Sequence, residues 1–158
     1  MNEPSTSNNQ ATPKGKTTPV EICARATEYA LRAIKLYDYL QTRKSGAGRT
    51  LGRQYLRAAC SIGANVEEAQ AAESRSDFVH KLSIAQKEAR ESKYWLKLLS
   101  ESGIVKESKL SPLMQETKEV LAVITAIIVS TKTHLSFKQA NAKTELPEGE
   151  PASRALNS

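Results

Sequence analysis

The sequence predicts an all-α protein, an up-down-up-down antiparallel four-helix bundle. Three observations carry this. First, Phe78, Leu82, Ala85, Ala89, Ser92, Leu96 and Leu99 alternate steps of four and three, the heptad seam of a helix packed lengthwise on other helices. Second, Leu56, Ala59, Gly63, Val66 and Gln70 keep the same spacing in the stretch before it. They stand among Ala58, Ser61, Ala64, Ala69, Ala71 and Ala72, small side chains that let two helix backbones approach closely. Third, Gly, Ser and Pro punctuation divides the chain into four segments of roughly 22 to 28 residues joined by short connections.

Residues 1–18 are rich in Ser, Thr, Asn and Pro, have almost nothing to bury, and read as a disordered tail. Thr18 before Pro19 marks a helix start, because proline suits the first helical position. The first helix runs from Pro19 to about Lys44, with Ile22, Ala26, Tyr29 or Ala30, Ala33, Tyr37 and Leu40 inward. Arg25, Glu28, Arg32, Lys35 and Asp38 form its outer face. Gly46 and Gly48 in KSGAGRT are read as the turn, so the second helix starts near Thr50 and reaches Ala72. Gly63 costs about 1 kcal/mol relative to Ala in a helix interior, which argues a close-packing role. Ser74 with Asp77, or Ser76 alone, caps a third helix that ends at Gly103. The fourth begins at Ser111–Pro112 or as early as Ser108, with Leu110, Leu113, Val120, Ile124, Ile127, Thr131 and Leu135 inward. The bundle spans residues 19–137, and residues 138–158 read as a second disordered tail. Each helix is about 35 to 40 Å long.

The totals suit one domain with a real core: 158 residues, 39% hydrophobic and 25% charged. The longest apolar run, Val120 to Val129, is short of the roughly 20 residues that span a bilayer, so no membrane partner is expected. The N-terminal stretch lacks the apolar region of a secretory signal, and a cytoplasmic location is expected. Cys23 and Cys60 form no metal-binding pattern and read as small core residues, although a bridge between the first two helices is geometrically open.

About the hairpin turn at Ser74, Arg57 falls level with Glu91, with Glu88 one turn away, and Glu67 and Glu68 fall level with Lys81. These pairs read as interhelix ion pairs that fix register. If partly buried, losing one partner is costly because the other charge stays behind. Asn65 either bonds across a helix interface or sits exposed. The glutamates also invite a di-metal reading, but such bundles use Glu-x-x-His pairs, and here Asp77 precedes His80 and Thr131 precedes His134. No metal, no cofactor and no catalytic residues are expected. Phosphate-loop, nucleophile-elbow and zinc-protease motifs are missing from the sequence, so the chain does not read as an enzyme.

The bundle topology gathers Arg43, Lys44, Arg49, Arg53, Lys93, Lys97, Lys106 and Lys109 at one end, against Glu101 and Glu107. The net charge is +6. Such a cluster is either a set of solvated helix ends or a surface that neutralises phosphates. Tyr94 and Trp95 are the aromatic residues near this end on the third helix, one of them expected in the core. Zinc-finger and RNA-recognition signatures are missing, so base-specific readout is not indicated.

SIGANVEEAQ (Ser61 to Gln70), SRSDFVHKL (Ser74 to Leu82) and KEARESKYWLKLL (Lys87 to Leu99) resemble the bacterial four-helix-bundle family of 23S rRNA intervening-sequence proteins. By helix layout the likeness extends from Ile22 to Leu135. The resemblance implies a closed bundle that assembles into a ring-like homo-oligomer, typically a pentamer. It is also similar to the accessory variability determinant protein of diversity-generating retroelements, a basic pentamer, which implies RNA or DNA and a reverse transcriptase or other protein as partners. The family name records gene context, and no catalytic residues come with it. Arg57, Asn65, Glu68, Lys81, Glu88 and Glu91 match the motif with polar groups suited to helix pairing or subunit contacts. Val66–Glu67 and Gln86 depart from the apolar or small residues expected there. Together these readings give a non-enzymatic oligomeric bundle that binds nucleic acid through a basic surface, or else a protein-interaction scaffold.

Overall fold

The computed structural model describes residues 19–144, with side chains over 21–136. Four helices follow in order: α1 (Pro19–Gln41), α2 (Gly46–Gln70), α3 (Arg75–Glu101) and α4 (Glu107–Thr144). Contacts join α1 to α2, α2 to α3, α3 to α4 and α4 back to α1, with no diagonal pairs. This is the square of antiparallel neighbours that short connections impose. The expected tail over 1–18, and the part of the second tail beyond residue 144, lie outside the described residues. Residues 138–144 continue α4 as helix, where the sequence reads a disordered tail.

Local chemistry sets the ends and corrects two boundaries. α1 stops at Gln41, short of Lys44, and the Thr42 hydroxyl donates to the Tyr39 carbonyl at 2.7 Å. Ser45 then caps α2, its hydroxyl accepting from the Gly48 N–H at 3.0 Å. The glycines of KSGAGRT therefore lie in the first turn of α2 and not in the connection. A serine cap satisfies a free N–H that two glycines do not prevent from joining a helix. Ser74 caps α3 in the same manner through the Asp77 N–H. Gly103 adopts φ +70° just past the end of α3, and the Val105 N–H reaches back to the Leu99 carbonyl, the left-handed stop that glycine favours. α4 begins at Glu107, so Pro112 falls inside it.

The core is one cluster drawn from all four helices. On α3 the heptad line is buried from Leu82 to Leu99, with Val79 deeper than Phe78. On α2 the seam runs Gly48, Gly52, Tyr55, Ala59, Ile62, Val66 and Ala69. The expected line shares Ala59 and Val66, but its Leu56 and Gly63 are only partly covered and Gln70 is exposed. Gly63 backs onto α1, where an added Cβ would sit 3.7 Å from the Ala26 carbonyl oxygen. The tighter glycine is Gly52, where a Cβ would sit 2.7 Å from Leu40 Cδ1.

At mid-bundle the helices contribute one hydroxyl each: Tyr29, Tyr55, Ser92 and Thr117, all at 0% exposure. The Thr117 hydroxyl donates to the Leu113 carbonyl at 2.7 Å. With its proton so engaged, Thr117 accepts from the Tyr29 hydroxyl, also at 2.7 Å. The rings of Tyr29 and Tyr55 meet edge to face at 6.3 Å. Among the described residues the Tyr55 and Ser92 hydroxyls find no hydrogen-bond partner of good geometry. Burial pushes both phenols above their ordinary pKa, so the layer stays protonated.

The cysteines depart from the core reading. Cys60 is exposed, Cys23 is partly covered, and both are free thiols. Burial, with Glu67 beside Cys23, raises the two thiol pKa values. By length and composition α4 holds a stretch, Glu107–Ser136, apolar enough to cross a membrane, and little of it is buried. The ion-paired Glu116 and Glu119 fall inside that stretch, as in a bundle helix with an apolar outer face.

Candidate nucleic-acid interface

The end of α1, the start of α2, the end of α3 and the start of α4 share one pole of the bundle. That pole carries Arg43, Lys44, Arg49, Arg53, Lys93, Lys97, Lys106 and Lys109, all exposed. Among the described residues only Lys97 of this set has a carboxylate in ion-pair range, Glu101 at 3.7 Å. Both partners are more than half exposed, so this pair contributes little.

Helical geometry divides the set into three sectors. Arg49 lies five turns from Glu67, which neighbours Cys23 of α1, and so sits with Arg53 on the α1 flank of α2. Lys93 and Lys97 share the flank of α3 that carries Gln86, whose amide donates to Thr125 of α4 at 2.7 Å. Arg43, Lys106 and Lys109 gather at the α1–α4 seam. The Arg49 guanidinium also donates to the Arg43 carbonyl at 2.9 Å, which ties the first sector to the third.

The α1–α4 seam is the loosest of the four interfaces. Toward the middle it is bridged by two ion pairs, Arg25–Glu119 and Arg32–Glu116. Nearer the pole the pairing stops. Tyr39 takes the next place on α1, with the Arg43 guanidinium 5.2 Å and the Lys109 ammonium 5.3 Å from its ring centroid. Two hollows adjoin here. One, of about 290 Å³, is lined by Arg32, Lys35, Leu36, Tyr39, Leu110 and Leu113, with Val105 and Lys109. The other, of about 210 Å³, lies among Tyr39, Arg43, Ile104, Lys106 and Lys109, beside Gly103.

Sequence reasoning placed Arg32 and Lys35 on a solvated face and gave Tyr39 no role. The seven-residue spacing of Arg25, Arg32 and Tyr39 is the signal that could have set them on one flank of α1. Of the two aromatics on α3, Tyr94 is 53% exposed. Trp95 is partly buried and donates its indole N–H to Glu91 at 3.0 Å.

The α2–α3 hairpin carries the remaining charges. Arg57 bonds Glu91 and approaches Glu88 at 3.9 Å, and Lys81 bonds Glu68 at 2.6 Å. Glu67 does not join Lys81; it lies beside Cys23. The Trp95 N–H, with help from Arg57, holds the Glu91 carboxyl below the usual range. The Arg57 side chain is 56% exposed, so this bridge orients helices more than it stabilises them. Asn65 bonds the Ser61 carbonyl of its own helix at 2.8 Å and, among the described residues, has no hydrogen bond to another helix.

The family model for the 23S rRNA-intervening sequence protein matches residues 19–126, which take in α1, α2, α3 and the first half of α4. A crystal structure of a protein with unknown function from the S23 ribosomal protein family of Bacteroides thetaiotaomicron VPI-5482 superposes with a TM-score of 0.64. It is 33% identical, and the match covers 70% of this chain and 96% of that one. Comparison with curated proteins gives no match. On the span of the family match and the 33% identity across 96% of the solved relative, the chain belongs to the 23S rRNA-intervening sequence protein family.

Proposed function

We propose that the protein is a non-enzymatic, self-assembling cytoplasmic bundle that binds RNA through phosphate contacts at its basic pole. The observation that carries this reading is the α1–α4 seam. There Arg43, Lys106 and Lys109 crowd one aromatic ring with no carboxylate in ion-pair range among the described residues. Facing like charges across a helix interface raises the free energy of the fold unless an anion neutralises them. A polyanion does so, and release of its counterions makes binding strongly salt-dependent. The spread of Arg49, Arg53, Lys93 and Lys97 into other sectors suits an extended backbone more than one small anion.

The test is charge reversal. A variant with Arg43→Glu, Lys106→Glu and Lys109→Glu is expected to lose binding to a stem-loop RNA in fluorescence anisotropy while keeping its helicity and its size by light scattering. Unchanged RNA affinity in this variant contradicts the reading.

Assembly with further copies, with a pentamer as the expected form, is the second part of the proposal. It is favoured by Leu31 (54% exposed) and Ile34 (41%) on the outer face of α1 and by Val129 (58%) on α4. The same apolar faces favour the alternative reading of a protein-interaction scaffold, with a reverse transcriptase or another protein as partner. A monodisperse oligomer with no affinity for RNA or DNA at low salt would select the scaffold.

A further inference from the structure

The open end of the α1–α4 seam is built for more than a phosphate. Its two hollows share Tyr39 and Lys109 and differ in chemistry. The larger has an apolar floor of Leu36, Leu110 and Leu113. Its volume of about 290 Å³ is at the lower end of small-ligand sites, the right scale for one flat ring system. The smaller, toward the pole, is ringed by Arg43, Lys106 and Lys109. An apolar slot, an aromatic ring and a cationic end in that order match a nucleotide, with a base in the slot and a phosphate at the cations.

The seam's ion pairs explain why the slot stays open. Arg25–Glu119 and Arg32–Glu116 hold α1 to α4 farther along. Beyond them Lys35 and Arg43 face Lys109 and Lys106, like charges that repel, with Tyr39 among them. The two cations resting on Tyr39 are held by its ring electrons. An incoming base can take over part of that ring while the cations turn to its phosphate.

We propose that this seam holds one unpaired nucleotide of an RNA strand, its base against Leu36, Tyr39 and Leu113 and its phosphate among Arg43, Lys106 and Lys109. The proposal rests on the nucleic-acid reading above. It adds a preference for single-stranded extensions that phosphate contacts alone do not give. It requires no base identity, because every base has a π-face and stacking tolerates sequence.

The experiment compares two fluorescein-labelled hairpins with the same stem, one blunt and one with a short unpaired adenosine tail, titrated with the full chain at physiological salt. The tailed hairpin is expected to bind about tenfold more tightly, the scale of stacking a single base. Tyr39→Ala is expected to erase that advantage, while Tyr39→Phe keeps it. Lys109→Glu, a surface change that leaves the core intact, is expected to narrow the ratio of the two affinities. Equal affinity of the wild-type chain for both hairpins overturns the nucleotide seat and leaves the phosphate reading standing. Absence of binding to either hairpin overturns both. A tail advantage that survives Tyr39→Ala overturns the placement in this seam. Phosphatidylglycerol vesicles that sediment the wild-type chain but not Tyr39→Ala, with no tail advantage, reassign the slot to a lipid.

Discussion

Two glycines of α2 predict opposite responses to the same change. At Gly63 an added Cβ would meet the Ala26 carbonyl oxygen at 3.7 Å, ordinary contact distance. Gly63→Ala therefore gains the helix propensity of alanine, about 1 kcal/mol, without a clash. At Gly52 the added Cβ would lie 2.7 Å from Leu40 Cδ1 and 3.5 Å from Leu40 Cβ. Leu40 is at 0% exposure, so its methyl has no free space to retreat into. Overpacking of this kind costs about 1 to 3 kcal/mol, which offsets the propensity gain and leaves Gly52→Ala destabilised by about 0 to 2 kcal/mol. The two variants should thus differ by about 1 to 3 kcal/mol. Urea unfolding followed by circular dichroism reads this as separated midpoints at constant slope. Protein concentration is held fixed, because the proposed self-assembly would make apparent stability concentration-dependent. If Gly52→Ala stabilises as much as Gly63→Ala, the close contact between α2 and α1 at Leu40 is wrong.

Thr117→Val keeps the shape of the side chain but leaves the buried Tyr29 hydroxyl without its acceptor. It should cost about 1 to 3 kcal/mol, and adding Tyr29→Phe should recover part of the loss. Equal unfolding midpoints for wild type and Thr117→Val would remove the hydroxyl layer from the account. Glu91 has a folded pKa below its ordinary value, 4.5. Its contribution is therefore present above pH 4.5 and lost as pH falls through the folded value. The melting-temperature gap between wild type and Glu91→Gln should close on acidification, and a gap that widens would contradict the Trp95–Glu91–Arg57 linkage.

Helix number and order were legible because the apolar spacing is a direct consequence of helix pitch. The α3 seam from Leu82 to Leu99 could be read residue by residue, since large polar residues flank it. α2 was harder. Small residues surround it on most sides, so a line through Leu56, Gly63 and Gln70 competes with the true one through Tyr55, Ile62 and Ala69. Gly46 and Gly48 looked like a turn because glycine often breaks helices, but the Ser45 cap outweighs them. The pole's cations were visible in the sequence through topology. Their division into sectors, and the Tyr39 seam, were not, because they depend on how far α1 stands from α4. The hydroxyl layer was hidden for a similar reason: its members come from four helices and meet only in the packed core.

The most direct measurement is the salt dependence of RNA binding by the intact chain. Anisotropy titrations of a labelled stem-loop RNA between low and physiological salt should give an affinity that falls steeply and linearly on logarithmic axes. Three phosphate contacts by Arg43, Lys106 and Lys109 set a minimum slope of about −2 on such axes, with the other sectors adding to it. No binding at low salt, or binding indifferent to salt, would contradict the phosphate-contact account and leave the bundle as a protein scaffold.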